Sequence, residues 1–266
     1  MAITTLDGVI AGMQYPRAIV KASVNTTAGR PHSLFYLAGQ PGAAVAPTPG
    51  MAGAALTSYA GQIPFSNPAS GNSYLARLSG QSTLAGTLVL CDRLWHNSGL
   101  NLTLTSDQTI NSAAWPARDA LGAINGEQVL IGLEVTTATG AGTPSLSMSY
   151  TNTAGTAGKT GSGILTVGAS SPIGAFYPMG LAAGDTGVKS VETFTLSATW
   201  TSGAASLVAY RELARLDLTG ANVPSAIDAL TSGFTRLYDN SVPFLLFISS
   251  SSTACNISGQ VIFTQG

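Results

Sequence analysis

The side chains able to do acid–base, nucleophilic or metal chemistry are few and scattered. The two histidines, His32 and His96, lie far apart. His96 with Asp92 and any of many serines composes a Ser/His/Asp set on paper, but no G-x-S-x-G elbow accompanies it. Cys91, Asp92 and His96 form a local C-D-x-x-x-H cluster that Cys255 could join. Zinc sites draw four ligands at recognisable spacing, so a buried thiol beside a loop histidine is the better reading. No metal, cofactor or catalytic residue is therefore expected.

The acids Asp92, Asp107, Asp119, Glu134 and Asp217 are dispersed, and no two stand out as a pair for glycoside hydrolysis. Several sit next to arginines: Asp92–Arg93, Arg118–Asp119, Arg211–Glu212, and Arg215 near Asp217. Adjacent strand residues point to opposite faces, so these predict cross-strand or cross-subunit ion pairs rather than pairing of neighbours. The run AGTAGKTG resembles a phosphate loop superficially. Its glycines, Gly155 and Gly158, are too close together for that motif, and no helix follows. Trp95, Trp115 and Trp200 stand at loops or a strand end, where aromatics serve as core plugs or interface anchors.

The elements that carry these residues read as strands. TLVLC (87–91), QVLIGLEV (128–135), LSMSY (146–150), Phe244–Ile248 and Ile257–Phe263 are short apolar runs. Leu100, Leu102 and Leu104 alternate with polar residues, as do Phe194, Leu196, Ala198 and Trp200. LVAYRELARLDL (207–218) fits one long strand, with Glu212 out of place; a helix through Leu207, Tyr210, Leu213 and Leu216 is the alternative. TTATGAGTP, TNTAGTAGKTGSG and LAAGDTGVKS read as turn-rich connections. A short helix is expected over Thr4–Met13, capped by Thr4 or Thr5, with Leu6, Ile10 and Met13 on one face. A second is expected over Pro224–Ser232, with Gly233 after it.

These signals predict an all-β antiparallel sandwich, jelly-roll-like, with one or two short helices. Three segments are expected: an N-terminal piece (1–38) with a helix and first strand, an extended arm (39–72), and a sandwich core (73–266). The arm contains five prolines and six glycines, together with hydrophobic anchors that include Met51, Leu56, Tyr59 and Phe65.

Composition narrows the function classes. Charged residues make up 9% of the 266, and lysine occurs three times, against roughly 25% charged residues in an ordinary domain. A surface that poor in charge is weakly protected against self-association, which predicts coverage by other subunits. With 45% hydrophobic residues the chain should fold rather than stay disordered. Eleven basic residues balance twelve acids without a basic cluster, so neither nucleic acid nor a membrane surface is an expected partner. No run approaches the roughly 20 apolar residues of a membrane span, no signal peptide is evident, and two cysteines do not make a disulfide framework.

The stretches FYLAGQPGAAVAPTPGMAGAALTSYAGQIPF, NSYLARL, LCDRLWHNSGL, INSAAWPARD, LTSGFTRLYDNSVPFLLF and SGQVIFTQG resemble a family of virion structural proteins encoded by tailed bacteriophages. The resemblance covers nearly the whole chain without a sharp motif. It implies a particle component, assembled in the host cytoplasm, and supplies no catalytic residue.

The expectation is therefore a structural, non-enzymatic virion protein: a capsid decoration or cement protein packing against copies of itself (a dimer or trimer) and against major capsid or other virion proteins. A tail, collar or fibre-base component is the alternative within that class. A carbohydrate-binding attachment module, stacking sugar on an outward Trp95, Trp115 or Trp200, is the alternative outside it. The expected interface residues are Met51, Leu56, Tyr59, Phe65, Arg93, Trp95, Trp115 and Arg118.

Overall fold

The computed structural model describes residues 3–233 and 235–266. Met1 and Ala2, in the expected N-terminal segment, and Phe234, in the stretch LTSGFTRLYDNSVPFLLF, lie outside the described residues. The fold is all-β, antiparallel and sandwich-like, with two short helices.

In chain order the elements are α1 (Leu6–Ala11), β1 (Arg17–Asn25), β2 (Pro31–Ser33), β3 (Gly39–Gln40), β4 (Ala54–Ala55), β5 (Ser73–Ser82), β6 (Gly86–His96) and β7 (Gln108–Thr109). There follow β8 (Leu130–Thr137), β9 (Leu146–Asn152), β10 (Lys159–Gly163), β11 (Phe176–Gly180), β12 (Val188–Leu196) and β13 (Ala204–Leu218). The chain ends with β14 (Ser225–Asp228), α2 (Ala229–Ser232), β15 (Arg236–Leu237), β16 (Pro243–Ser249) and β17 (Ala254–Gln265).

Contacts divide the chain into two compact units. The first holds residues 1–44, 58–92 and 212–266, and the second residues 45–57 and 93–211. These limits cut across the expected boundaries at 38/39 and 72/73, because β6 and β13 each run from one unit into the other and the arm is shared out between them.

The first unit is a sandwich. One layer is the sheet β14-β5-β17-β1-β3, with β15 also on β5; the other contains β2-β16-β6. Ile19, Leu75, Leu78 and Val261 from the first layer meet Leu88, Leu90, Leu245 and Phe247 from the second. Lys21, buried on β1, donates from Nζ to the carbonyls of Leu37 (3.2 Å) and Pro41 (2.7 Å), tying the start of the arm to the sheet. Burial lowers its pKa to about 8.

The second unit is a curled sheet that runs from β13 through β8, β11, β10, β9 and β12 to β7. Alternate residues of β8 (Ile131, Leu133, Val135), β9 (Leu146, Met148, Tyr150) and β13 (Ala205, Leu207, Ala209) fill its core. On the other face, Gly132 leaves room for the ring of Phe176, which a Cβ would approach to 2.2 Å.

Several elements differ from the sequence reading. Leu100 to Thr105 forms no strand: Asn101 Oδ1 accepts from the Thr103 N–H (2.9 Å) and hydroxyl (2.7 Å), an Asx turn that competes with extended pairing. Leu100 and Leu102 are buried as loop anchors while Leu104 is exposed. The helix expected over Pro224–Ser232 is reduced to α2. Its first half is the edge strand β14, paired to β5, and Asp228 caps the short helix through the Leu230 and Thr231 amides. Residues 207–218 are strand throughout β13, in line with the strand reading, and the helical alternative falls. A further strand lies in a glycine-rich connection, where Lys159–Gly163 pairs with both β9 and β11. The first helix forms as expected, capped by Thr5 Oγ1 on the Gly8 amide (3.1 Å).

Two glycines of the arm test how tightly it is seated. Both have positive φ, +83° at Gly50 and +67° at Gly53, but a Cβ at Gly50 meets nothing within 4 Å whereas one at Gly53 comes within 2.4 Å of the Trp95 indole. Gly50→Ala should cost ~1 kcal/mol, the backbone contribution alone, and Gly53→Ala ~3 kcal/mol because the clash adds to it. Urea-unfolding midpoints of the two variants check the ordering; equal values would show that residues 50–53 are not seated on Trp95.

Candidate functional site

An irregular segment packed against a domain must find partners for its backbone carbonyls and amides. Residues 45–57 do so within the second unit. The Leu56 amide donates to the Leu94 carbonyl (2.8 Å), and the amides of Ser98 and Ala113 donate to the carbonyls of Gly50 (3.0 Å) and Ala52 (2.9 Å). Side chains supply the rest. The Trp95 indole N–H donates to the Ala52 carbonyl (3.0 Å), Asn97 Nδ2 to that of Met51 (3.2 Å), and Arg118 Nη1 to that of Leu56 (2.7 Å).

These donors are members of a buried polar network. Arg118 Nη2 also donates to the Arg93 carbonyl (3.0 Å), and Arg211 Nε to the Arg118 carbonyl (3.1 Å). Arg93 on β6 reaches Glu134 on β8, two places along in the sheet order, with Nη1 and Oε2 at 2.7 Å and both side chains fully buried. Opposite Glu134 on β13 stands the small Ser206. Arg93 Nε donates to His96 Nδ1 (3.3 Å), so the ring is neutral and carries its proton on Nε2. Burial first, and then the Arg93 charge, lower the His96 pKa to about 3.

The same network mounts a loop. Asp119, buried beside Arg118, accepts from four amides: Leu121 (2.9 Å) and Ala123 (2.8 Å) on Oδ1, Gly126 (3.1 Å) and Glu127 (3.2 Å) on Oδ2. One carboxylate thus fixes the turn through 119–127. At its tip Leu121 and Ile124 are 78% and 52% exposed. A rigid loop that displays two apolar side chains has an ordering cost already met before any partner arrives.

Five of the eight expected interface residues lie beneath the surface, and Met51, Tyr59 and Phe65 are half-buried. Arg93, Trp95, Trp115, Arg118 and Leu56 are all buried within the chain, where another subunit cannot touch them. Trp95 and Trp115 meet edge-to-face at 5.2 Å, and the Trp115 indole N–H donates to the Val188 carbonyl (2.7 Å). Met51 is half-buried against the second unit's core. Tyr59 stacks on Phe35 and Phe65 packs edge-on against Phe263, so the arm's anchors hold it to its own chain. Trp200 is buried as well, which removes all three tryptophans as sugar-stacking platforms. The C-D-x-x-x-H cluster does not act as a unit. Asp92 accepts from the Ser241 hydroxyl (3.1 Å) and the Val242 amide (2.7 Å), while His96 Nδ1 is occupied by Arg93. No group of three or more His, Cys, Asp or Glu among the described residues could hold a metal ion.

Sequence reasoning passed over Glu134, Asp119, Leu121 and Ile124 as members of a site. A lone acid in the apolar run QVLIGLEV is the signal for a buried ion pair, and Asp119 followed by Gly122 and Gly126 is the signal for an Asx-organised loop.

No family model matches the chain, and no curated protein matches it. Among solved structures it is similar to the infectious bursal disease virus VP2 subviral particle, at 11% identity and a TM-score of 0.20, over 96% of this chain and 82% of the other. A structure of infectious bursal disease virus Gt strain gives 12% identity and a TM-score of 0.20, over 95% and 82%. At that level of likeness nothing of VP2's role transfers to this chain.

Removing one member of the Arg93–Glu134 pair leaves a buried charge uncompensated. Glu134→Gln should destabilise the fold by about 3–5 kcal/mol, while Arg93→Met with Glu134→Leu should restore most of the loss; denaturant titration of the three chains measures this. The histidines give a pH signature. His32 and His96, held near 4 and 3 by burial, stay neutral in the fold while the unfolded chain takes up protons below about 6.5. Stability should therefore fall as pH drops from about 6.5 toward 4, by up to ~1.4 kcal/mol per pH unit for each histidine. His96→Gln should flatten that slope in unfolding curves collected across the same range.

Proposed function

We propose that the chain is a structural component of a virus particle, a bacteriophage head protein of the decoration or cement kind, which acts by packing and not by catalysis. The observation that carries this reading is the distribution of charge. Seven of the 11 basic and 12 acidic residues are buried: Lys21, Asp92, Arg93, Arg118, Asp119, Glu134 and Arg211. Sixteen remain for the surface of 266 residues. That surface also displays Leu121 and Ile124 on a fixed loop, and further large apolar side chains elsewhere. A protein that works free in solution is normally protected by charge; one that works under a layer of neighbours is not. Exposed apolar residues mounted on rigid elements are what an assembly interface needs. The sequence resemblance to tailed-phage virion proteins supports the same reading, and repetition over many copies converts a modest contact into firm attachment.

Quantitative mass spectrometry of purified particles, scaled to the major capsid protein, tests the placement. Hundreds of copies per particle are expected for a head decoration. A few dozen or fewer would replace the head assignment with a tail, collar or fibre-base position, and complete absence would overturn the virion reading. The loop gives a residue-level test: Leu121→Asp with Ile124→Asp should leave the unfolding midpoint within about 0.5 kcal/mol of the parent, as surface changes do. The same chain should be incorporated at least tenfold less. Normal incorporation would remove this loop from the interface.

A further inference from the structure

Helix α1 carries its apolar stripe outward. Leu6 and Ile10 fall within about 40° of one another around the helix axis and are 57% and 58% exposed; Met13, one residue past the Gly12 cap, is 44% exposed, and Val9 is the residue turned inward. The exposure is not fraying. The Thr264 hydroxyl donates to the Val9 carbonyl (2.8 Å), the Gln265 amide to the Gly12 carbonyl (3.0 Å), and the Gln14 amide to the Phe263 carbonyl (2.8 Å). Gly12 is held so close that a Cβ would lie 2.1 Å from the Gln265 carbonyl oxygen. Leu230 of α2, 75% exposed, lines an open pocket of about 210 Å³ together with Leu6 and Val9, and Tyr15, two residues after Met13, is 85% exposed.

We infer that this patch is a self-association surface, whose occupant is the α1–α2 face of a second copy of the chain. The inference rests on the structural role proposed above and names the contact that role would use. Two arguments select the copy. The first is charge. The only ionisable side chain between Thr4 and Tyr15 is Asp7, one position on from Leu6 and so about 100° around the helix. On α2 the Asp228 carboxylate is turned back onto the Leu230 and Thr231 amides, so a two-fold contact, which sets like against like, can join the aliphatic side chains without opposing free carboxylates. The second is area. Five side chains of this size at these exposures present roughly 600 Å² of surface, or about 1,200 Å² when two copies meet. That lies at the lower edge of specific interfaces. The dimer is accordingly weak and reversible, of the strength that repeated contacts in a particle can use.

Sedimentation velocity of the full chain over a wide concentration range should show a concentration-dependent dimer. Ile10→Glu should weaken it at least tenfold with an unchanged circular-dichroism melt, and Leu121→Asp should not weaken it. A chain that stays monomeric throughout, or a dimer indifferent to Ile10→Glu, overturns the inference. Cross-linking is independent of the glutamate variant's folding. Cys91 and Cys255 are buried, so Ile10→Cys supplies one accessible thiol and should give a disulfide-linked dimer under mild oxidation. Ile164→Cys, on the second unit at 64% exposure, should give far less; equal yields would overturn the inference. Particle incorporation separates the two readings: a monomeric chain present in particles sinks the dimer alone, whereas a dimeric chain absent from them sinks the virion role.

Discussion

An irregular polypeptide lying on a folded unit has to satisfy its backbone, and in this chain that need decides where the large polar side chains go. Residues 45–57 contain only the two-residue strand β4, so most of their carbonyls have no ladder to join. Trp95, Asn97 and Arg118 take that place, each donating to one arm carbonyl. A buried guanidinium that bonds only to carbonyls would still carry an uncompensated charge. The two buried acids answer this: Asp119 lies next in the chain, and Glu134 pairs with Arg93, whose carbonyl accepts from Arg118. The neutral state of His96 follows first from burial and then from the Arg93 charge.

This arrangement has a consequence for the surface. Few charges are present, and the interior of the second unit takes five of them in Arg93, Arg118, Asp119, Glu134 and Arg211. Serine, threonine, glycine and exposed aliphatics are left outside. Serine and threonine hydroxyls keep such a surface wetted, but they provide no long-range repulsion between copies. The scarcity visible in composition and the burial visible in structure thus act in one direction, toward association.

Strand content was legible wherever one face is buried and the other wet. The alternation in LSMSY, and the apolar runs of 87–91, 244–248 and 257–263, became β9, β6, β16 and β17. It failed where local hydrogen bonding competes, since the Leu100–Leu102–Leu104 pattern imitates a strand while Asn101 closes a turn. It also failed where glycine dilutes the pattern, as in KTGSG, whose pairing is set by neighbours on both sides. The arginines were harder still. Arg118 reads as a cross-strand or cross-subunit ion-pair member, because nothing in the local sequence reports that an arm more than sixty positions earlier, at Leu56, requires a donor there. The first helix shows the limit of pattern reading in another way. Its apolar face was found correctly, but amphipathicity alone does not say whether that face meets the core or the outside.

The burial of Trp95 and Arg118 also constrains what kind of interface this chain can make. Tight interfaces commonly rest on tryptophan, tyrosine and arginine seated in desolvated pockets, and here the tryptophans and three of the eight arginines are committed internally. Aliphatic side chains stand outside on fixed supports: Leu121 and Ile124 on the Asp119 loop, Leu6 and Ile10 on α1. Aliphatic patches of this size give contacts with little directional preference and modest strength. Under the structural role proposed above, such contacts suit a protein whose position is set by many neighbours at once, since no single one has to hold. The tryptophans and Arg118, which could anchor one strong contact, are committed inside this fold, where Trp95 and Arg118 keep its own arm in place.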